Sequence, residues 1–267
     1  MAFYDYETKT SWSYQGDTVF HAASTIKVAI LIGVFALIDD GVIELDSQVH
    51  IRNRFLSLVD NEPYRVQSSR DANAIVYSAL GKMLSVSELA YHMIVTSSNL
   101  ATNLLIDLVG VEALQKKLEK MGVQGIELKR GVEDELAYDH NINNLVTANG
   151  LSKLFRYLYE TNGISTELRD KMLEILLNQK FNQGIPIGVP AELRGDTKFA
   201  HKTGEISTVS HDAGLVFLPD RKPYSLAILT ERIPSKSRSR KAIQRLSRLV
   251  YKNFISAEIH EVVSDDV

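Results

Sequence analysis

The sequence predicts an α+β fold: an antiparallel five-stranded sheet flanked by helices and built from both ends of the chain, with an all-helical region inserted between. Three observations carry this. Strand-like segments fall only near the start and near the end of the 267 residues. The stretch between them carries apolar residues at helical spacing, and a helix follows each group of strands. Residues 1–45 and 185–267 are assigned to the sheet region and residues 46–184 to the helical one. Connectivity of this kind puts a cleft at the seam.

Taken in order, Phe3 to Thr8 and Ser11 to Tyr14 are short aromatic-rich stretches joined by a polar turn at Lys9, as in an opening hairpin. A helix from Ser24 to Ile38 follows, with Ser24 as its cap and Asp39-Asp40-Gly41 as its stop. Its run from Val28 to Ile38 is apolar on almost every side, so it belongs inside the fold. Further helices are expected at Ser87–Val95, Ser98–Leu108, Val111–Met121, Ala148–Tyr159 and Thr166–Asn178. Glycines 122, 125 and 131 open a looser stretch that runs to Asn144. Strand character returns at Phe199–Thr203, Ala213–Leu218 and Tyr224–Thr230, the last two joined by a Pro-Asp-Arg-Lys-Pro turn. A closing helix is expected from about Ser237 to Ile255, with Ile243, Leu246, Leu249, Val250 and Phe254 as one apolar stripe.

Composition narrows the function. With 45% hydrophobic and 24% charged residues the chain is an ordinary soluble globular protein. A net charge of -3 gives no reason to expect nucleic acid or an anionic membrane as partner. The absence of cysteine removes disulfides, thiolate metal sites and a cysteine nucleophile together. No histidine pair has helical metal-ligand spacing, so neither a metal nor another cofactor is expected. The acidic, aromatic N-terminus is not an export signal, and Val28–Ile38 is too short to span a bilayer. The expectation is a soluble protein, cytosolic as it stands, or secreted or periplasmic if a leader has been removed. Oligomeric state is not legible.

Ser24 and Lys27 are the first candidates for chemistry. Three residues apart on a helix they share a face, so hydroxyl and amine can meet. A serine hydroxyl attacks only if a base takes its proton, and a lysine serves when burial lowers its pKa. The apolar helix supplies the burial, and its N-terminus favours the developing alkoxide. Alone, Ser-x-x-Lys is a common coincidence. Two further segments join it: Ser97-Ser98-Asn99 between two helices, and His201-Lys202-Thr203-Gly204 on a late strand.

With these three motifs in this order, the chain resembles the class A β-lactamase and penicillin-binding superfamily of active-site serine hydrolases. The text around them agrees, from Phe20 to Lys27 and from Ser97 to Leu105, and the resemblance runs from about residue 3 to 255. It implies a β-lactamase/transpeptidase-like fold and a small-molecule substrate, a β-lactam or a peptide-like amide or ester. It also implies roles. Ser24 becomes acylated, Lys27 takes its proton, and Ser97 relays a proton to the departing nitrogen. Asn99 holds Lys27 and the substrate's side-chain amide. Lys202 and Thr203 hold the substrate carboxylate, and Gly204 lets the substrate lie against the strand. The backbone N–H groups of Ser24 and Glu205 form the oxyanion hole. Ser98 stands where class A enzymes usually carry an aspartate that supports the fold.

One part of the resemblance fails. The family's deacylating loop opens Arg, any residue, Glu, Pro, and later Leu-Asn, whereas here the text is Arg130-Gly131-Val132-Glu133-Asp134-Glu135-Leu136-Ala137. Without a gap Val132 takes the glutamate's place; with one inserted residue Glu133 does. Glu133 and Glu135 are the candidate deacylation bases, and the ordinary reading of both is a solvated loop carboxylate. Without a base the protein would be a D-alanyl-D-alanine peptidase, another slow amidase or esterase, or a β-lactam sensor. The helix that commonly precedes the opening strand is also missing. His211-Asp212 lacks a nucleophile elbow and reads as structural. His201 reads as support for the strand beneath Lys202. The basic run Lys236, Arg238, Arg240, Lys241, Arg245, Arg248 reads as a solvated helix face.

Overall fold

Both ends of the chain meet in one sheet. The computed structural model describes residues 1–71, 74–160 and 163–255; residues 256–267 of the expected sheet region lie outside them. The five strands, all antiparallel, run in the order Lys198–Glu205, Val209–Phe217, Tyr224–Glu231, Ala2–Asp5, Ser11–Ser13. Ala2 pairs with Ala227 and Ala227 with Ala213, so small residues align across the middle of the sheet. Helix Ala148–Glu160 packs over that face, where Ser152 Oγ meets Ser225 Oγ at 3.1 Å. The opposite face of the same strand carries Tyr224, Leu226 and Ile228 against Ile243 and Val250 of helix Lys236–Val250. Strand alternation therefore feeds two cores, each large side chain contributing roughly 1.5–3 kcal/mol by burial.

Helix Ile26–Asp39 lies in the middle of the larger core, with every residue from Ile26 to Leu37 buried. It stops as expected: Asp40 caps it and Gly41 takes φ 72°, a left-handed value that a glycine adopts freely. Its start differs from expectation. A 3-10 turn, Ala23–Thr25, precedes the helix, and Thr25 occupies the cap position with its hydroxyl donated to Ala22 O at 2.5 Å. Ser24 is not a cap. Its hydroxyl is left for the cleft.

Helices Val86–Val95, Asn99–Val109, Val111–Lys120 and Thr166–Leu177 build the region between the strands. Short strand pairs of two or three residues, such as Gln48–His50 with Met83–Ser85, lie in the same stretch of chain. Ser85 and Glu88 cap the first reciprocally, an arrangement worth about 1 kcal/mol. The strand expected from Ala213 in fact begins at Val209. Ser210, His211 and Asp212 look like turn residues, yet all three are buried and each finds partners inside the fold. The closing helix ends at Val250 and passes into a π turn, Tyr251–Ile255. Leu249, expected in its apolar stripe, is 53% exposed. No helix among the described residues is long and apolar enough to cross a membrane.

Candidate active site

A cleft of about 960 Å³ opens where strand Lys198–Glu205 passes the 3-10 turn of Ser24, with the loop from Arg130 to Asn144 as its other wall. Ser24, Ser97, Asn99, Thr203, Gly204 and Glu205 all line it, as do Glu133 and Glu135. The three motifs, separated by up to 180 residues of chain, are brought together here.

Lys27 and Lys202 are completely buried beneath the cleft. Lys27 Nζ donates to Ser97 O at 2.6 Å, Asn99 Oδ1 at 2.7 Å and Ser97 Oγ at 3.2 Å. Lys202 Nζ donates to the same Ser97 Oγ at 3.1 Å and to Thr203 O at 2.8 Å. A single hydroxyl thus bridges two lysine amines. Among the described residues no hydrogen bond joins Ser24 Oγ to Lys27, whose three donors are already placed. Burial lowers the Lys27 pKa to about 7, against the opposing pull of the Asp71 and Glu133 carboxylates. Burial also brings Lys202 well below the usual lysine range; the charge of Lys27 adds to this and Asp212 opposes it.

Strain is concentrated at the same place. Ala23, Ser97 and Glu133 take φ values of 45°, 58° and 59°, in the left-handed region that costs a residue with a Cβ about 1–3 kcal/mol. Gly204 shows how close the walls come: a Cβ there would lie 2.9 Å from Thr25 N and 3.0 Å from Ser24 N. These are backbone atoms and cannot give way. Gly204→Ala is therefore expected to cost about 1–3 kcal/mol in urea unfolding. Gly195→Ala, where a Cβ meets nothing within 4 Å, should stay within about 0.5 kcal/mol.

The Arg130–Asn144 loop is closed by its own ends. The Arg130 guanidinium donates to Ile142 O, Asn143 Oδ1 and Gly131 O, while Asn144 pairs with the backbone of Lys129 and Arg130. Asn103 grips the Val132 backbone from both sides, accepting its N–H at 2.7 Å and donating to its carbonyl at 2.9 Å. The next residue turns inward. Glu133 Oε1 accepts from Asn99 Nδ2 at 2.6 Å and Oε2 from Gln67 N at 2.8 Å. Glu133 is thus not a solvated loop carboxylate, because the strained turn aims it at Asn99. Glu135 is one: it is exposed on the rim and paired with Arg70 at 2.6 Å. Asp134 faces away, capping helix Glu135–Asp139 and accepting from Ser57 Oγ and Leu58 N.

Asp71 escaped the sequence reading. It accepts from Ser98 Oγ at 2.9 Å, Asn99 N at 2.8 Å and Leu100 N at 3.0 Å, and so holds the start of helix Asn99–Val109. It supplies through space the carboxylate that Ser98 lacks, and no spacing in the sequence connects the two. Asn103 also went unassigned, although its place one helical turn beyond Asn99 is a signal that could have found it. His201 is buried beneath Lys202, bonded to Asp212 and Asn182 at 2.8 Å each. Glu205 sends its side chain out to Lys236 and Arg240, which leaves its backbone on the cleft. The rest of that basic face is solvated.

The arrangement has relatives of known kind. Residues 1–254 match the family model described as the beta-lactamase enzyme family. A β-lactamase of Bacteroides uniformis is 24% identical over 259 residues, which cover 90% of this chain and 83% of that protein. The solved structure of PBP-A superposes with a TM-score of 0.80 at 27% identity over 95% of this chain and 88% of that one. A mutant of PBP-A has been solved as an acyl-enzyme complex with penicillin G. A β-lactamase of Sphaerobacter thermophilus gives a TM-score of 0.78 at 25% identity, covering 94% and 88%. With residues 1–254 matched and three serine-hydrolase motifs on one cleft, the chain belongs to the beta-lactamase enzyme family.

Proposed function

We propose that the chain opens β-lactams by acyl transfer to Ser24 and then hydrolyses the acyl-enzyme. One observation carries this reading: Ser97 Oγ stands between the buried amines of Lys27 and Lys202, on the wall of the cleft that Ser24 lines. Such a bridge can pass a proton from the base side to the leaving-group side. Lys27, with its pKa brought to about 7, is neutral often enough to take the Ser24 proton. Ser97 hands a proton to the departing nitrogen. The N–H groups of Ser24 and Glu205 receive the oxyanion. Thr203 offers its hydroxyl to the substrate carboxylate, with the charge of Lys202 beneath it, and Asn99 aligns the substrate amide. Gly204 keeps the strand close.

Glu133 is the residue we assign to deacylation, and Glu135 is left as a rim charge. Its bond to Asn99 favours a hydrolase over the alternatives, a D-alanyl-D-alanine peptidase, another slow amidase or esterase, or a sensor that stays acylated. Incubation with a fluorescent penicillin decides among them. A label that forms and turns over is expected, at a rate that rises with pH through about 7 as Lys27 loses its proton. A label that persists supports the peptidase or sensor. No label, with intact ester turnover, overturns the β-lactam reading.

A further inference from the structure

Two histidines beside the cleft have no part in the chemistry just described. His211 lies buried in strand Val209–Phe217, and His21 sits three residues before the nucleophile. Their hydrogen bonds run from the neighbouring strand to the turn before the nucleophile and converge on His21. Thr230 N–H donates to His211 Nδ1 at 3.3 Å, and His211 Nε2 donates to His21 O at 3.0 Å. Ala23 N–H then donates to His21 Nδ1 at 3.0 Å. Each ring therefore accepts at Nδ1 and carries its proton on Nε2. In His21 that proton finds no partner among the described residues, although the nitrogen is buried. A buried donor left unsatisfied in this way means that the tautomer is imposed by Ala23.

Ala23 is the residue that needs holding. Its φ of 45° immediately precedes Ser24, whose backbone nitrogen lies close against Gly204, and such backbone persists only when its surroundings over-determine it. We infer that His21 and His211 form a neutral clamp, in which the sheet-bound His211 ring holds the His21 backbone carbonyl and the His21 ring holds the Ala23 N–H, so that His21 is a positioning residue for acylation of Ser24. The inference rests on the acyl-transfer reading above.

The clamp works only while both rings are neutral, since a proton on Nδ1 of His21 would set it against the Ala23 N–H. The groups facing His21 are the Arg130 guanidinium, the Tyr138 ring at 5.8 Å and His211; those facing His211 are the Phe20 ring at 5.7 Å and His21. Burial and then Arg130 hold His21 below its ordinary 6.5, and burial holds His211 at about 4. Both shifts are downward, so the clamp is closed at neutral pH and opens as pH falls through the His21 value.

Acylation of the full chain by a fluorescent penicillin, followed from about pH 8 to 4.5, tests this. Lys27 alone gives a logarithmic slope of one on the acid side. Opening of His21 adds a second proton, so the wild-type slope should steepen toward two. His21→Asn keeps an acceptor near the Nδ1 position but does not titrate; it should acylate near the wild-type rate at pH 8 and hold a slope of one. His21→Leu should lose roughly ten- to a hundredfold at every pH. A unit slope in the wild type, the same steepening in His21→Asn, or a wild-type rate in His21→Leu would each overturn the clamp. Imidazole nitrogen shifts at neutral pH, read without substrate, must show bare Nδ1 on both rings, and the opposite tautomer on either also overturns it. They decide the matter should a variant fail to fold. Expected tautomers in a protein that penicillin never labels would instead sink the β-lactam reading, and a p-nitrophenyl ester then carries the same rate comparison.

Discussion

Ser24→Ala is expected to abolish labelling by penicillin, with turnover falling by about 10⁶-fold, the scale on which an acyl-transfer enzyme depends on its nucleophile. The fold should not notice. Ser24 Oγ is half-buried, caps nothing and makes no hydrogen bond among the described residues, so its loss should change stability by no more than about 0.5 kcal/mol. Labelling gels and thermal melting of the same preparation check both halves. A label that survives in Ser24→Ala would move the nucleophile to another hydroxyl of the cleft, such as that of Ser97.

The second large effect is expected at Glu133. In Glu133→Gln the carboxylate that could activate a water is gone, and the one amide oxygen that remains can still accept from either Asn99 Nδ2 or Gln67 N. Hydrolysis of the acyl-enzyme should slow by roughly 10²–10⁴-fold, the usual weight of a general base, so that the label accumulates. Acylation should behave differently. Glu133 is one of two carboxylates that raise the Lys27 pKa against the effect of burial. Removing it lets that pKa fall below about 7, so the acid limb of acylation moves to lower pH. Glu135→Gln, on the exposed rim with Arg70, should change neither step. Separate measurement of label formation and label loss, by mass spectrometry of the intact protein, distinguishes the two steps. A Glu133→Gln variant that turns over as fast as the wild type would remove Glu133 from the mechanism.

These expectations show where reading from sequence held. The buried helix was visible because the run from Val28 to Ile38 leaves no polar face. The late strands and the closing helix were visible from period and turn chemistry. The limits were visible too. Polarity misled at Ser210–Asp212, because three polar residues satisfied inside the fold by distant partners look, in one dimension, like a turn. Ser24 read as a cap because cap and nucleophile ask for the same residue type in the same place. Leu249 read as core from its spacing, though the helix turns it to solvent.

The sequence by itself determined the α+β class, the order of the elements and the identity of three motifs, since each depends on residues close together in the chain. Only the tertiary structure decided what those motifs become. The sharing of Ser97 Oγ by two lysines, Asp71 in the place Ser98 leaves open, the inward turn of Glu133 rather than Val132, and the pairing of His21 with His211 all join residues from separate elements. Their energies come from burial, strain and directional hydrogen bonds, which exist only once distant segments are packed to within a few ångströms.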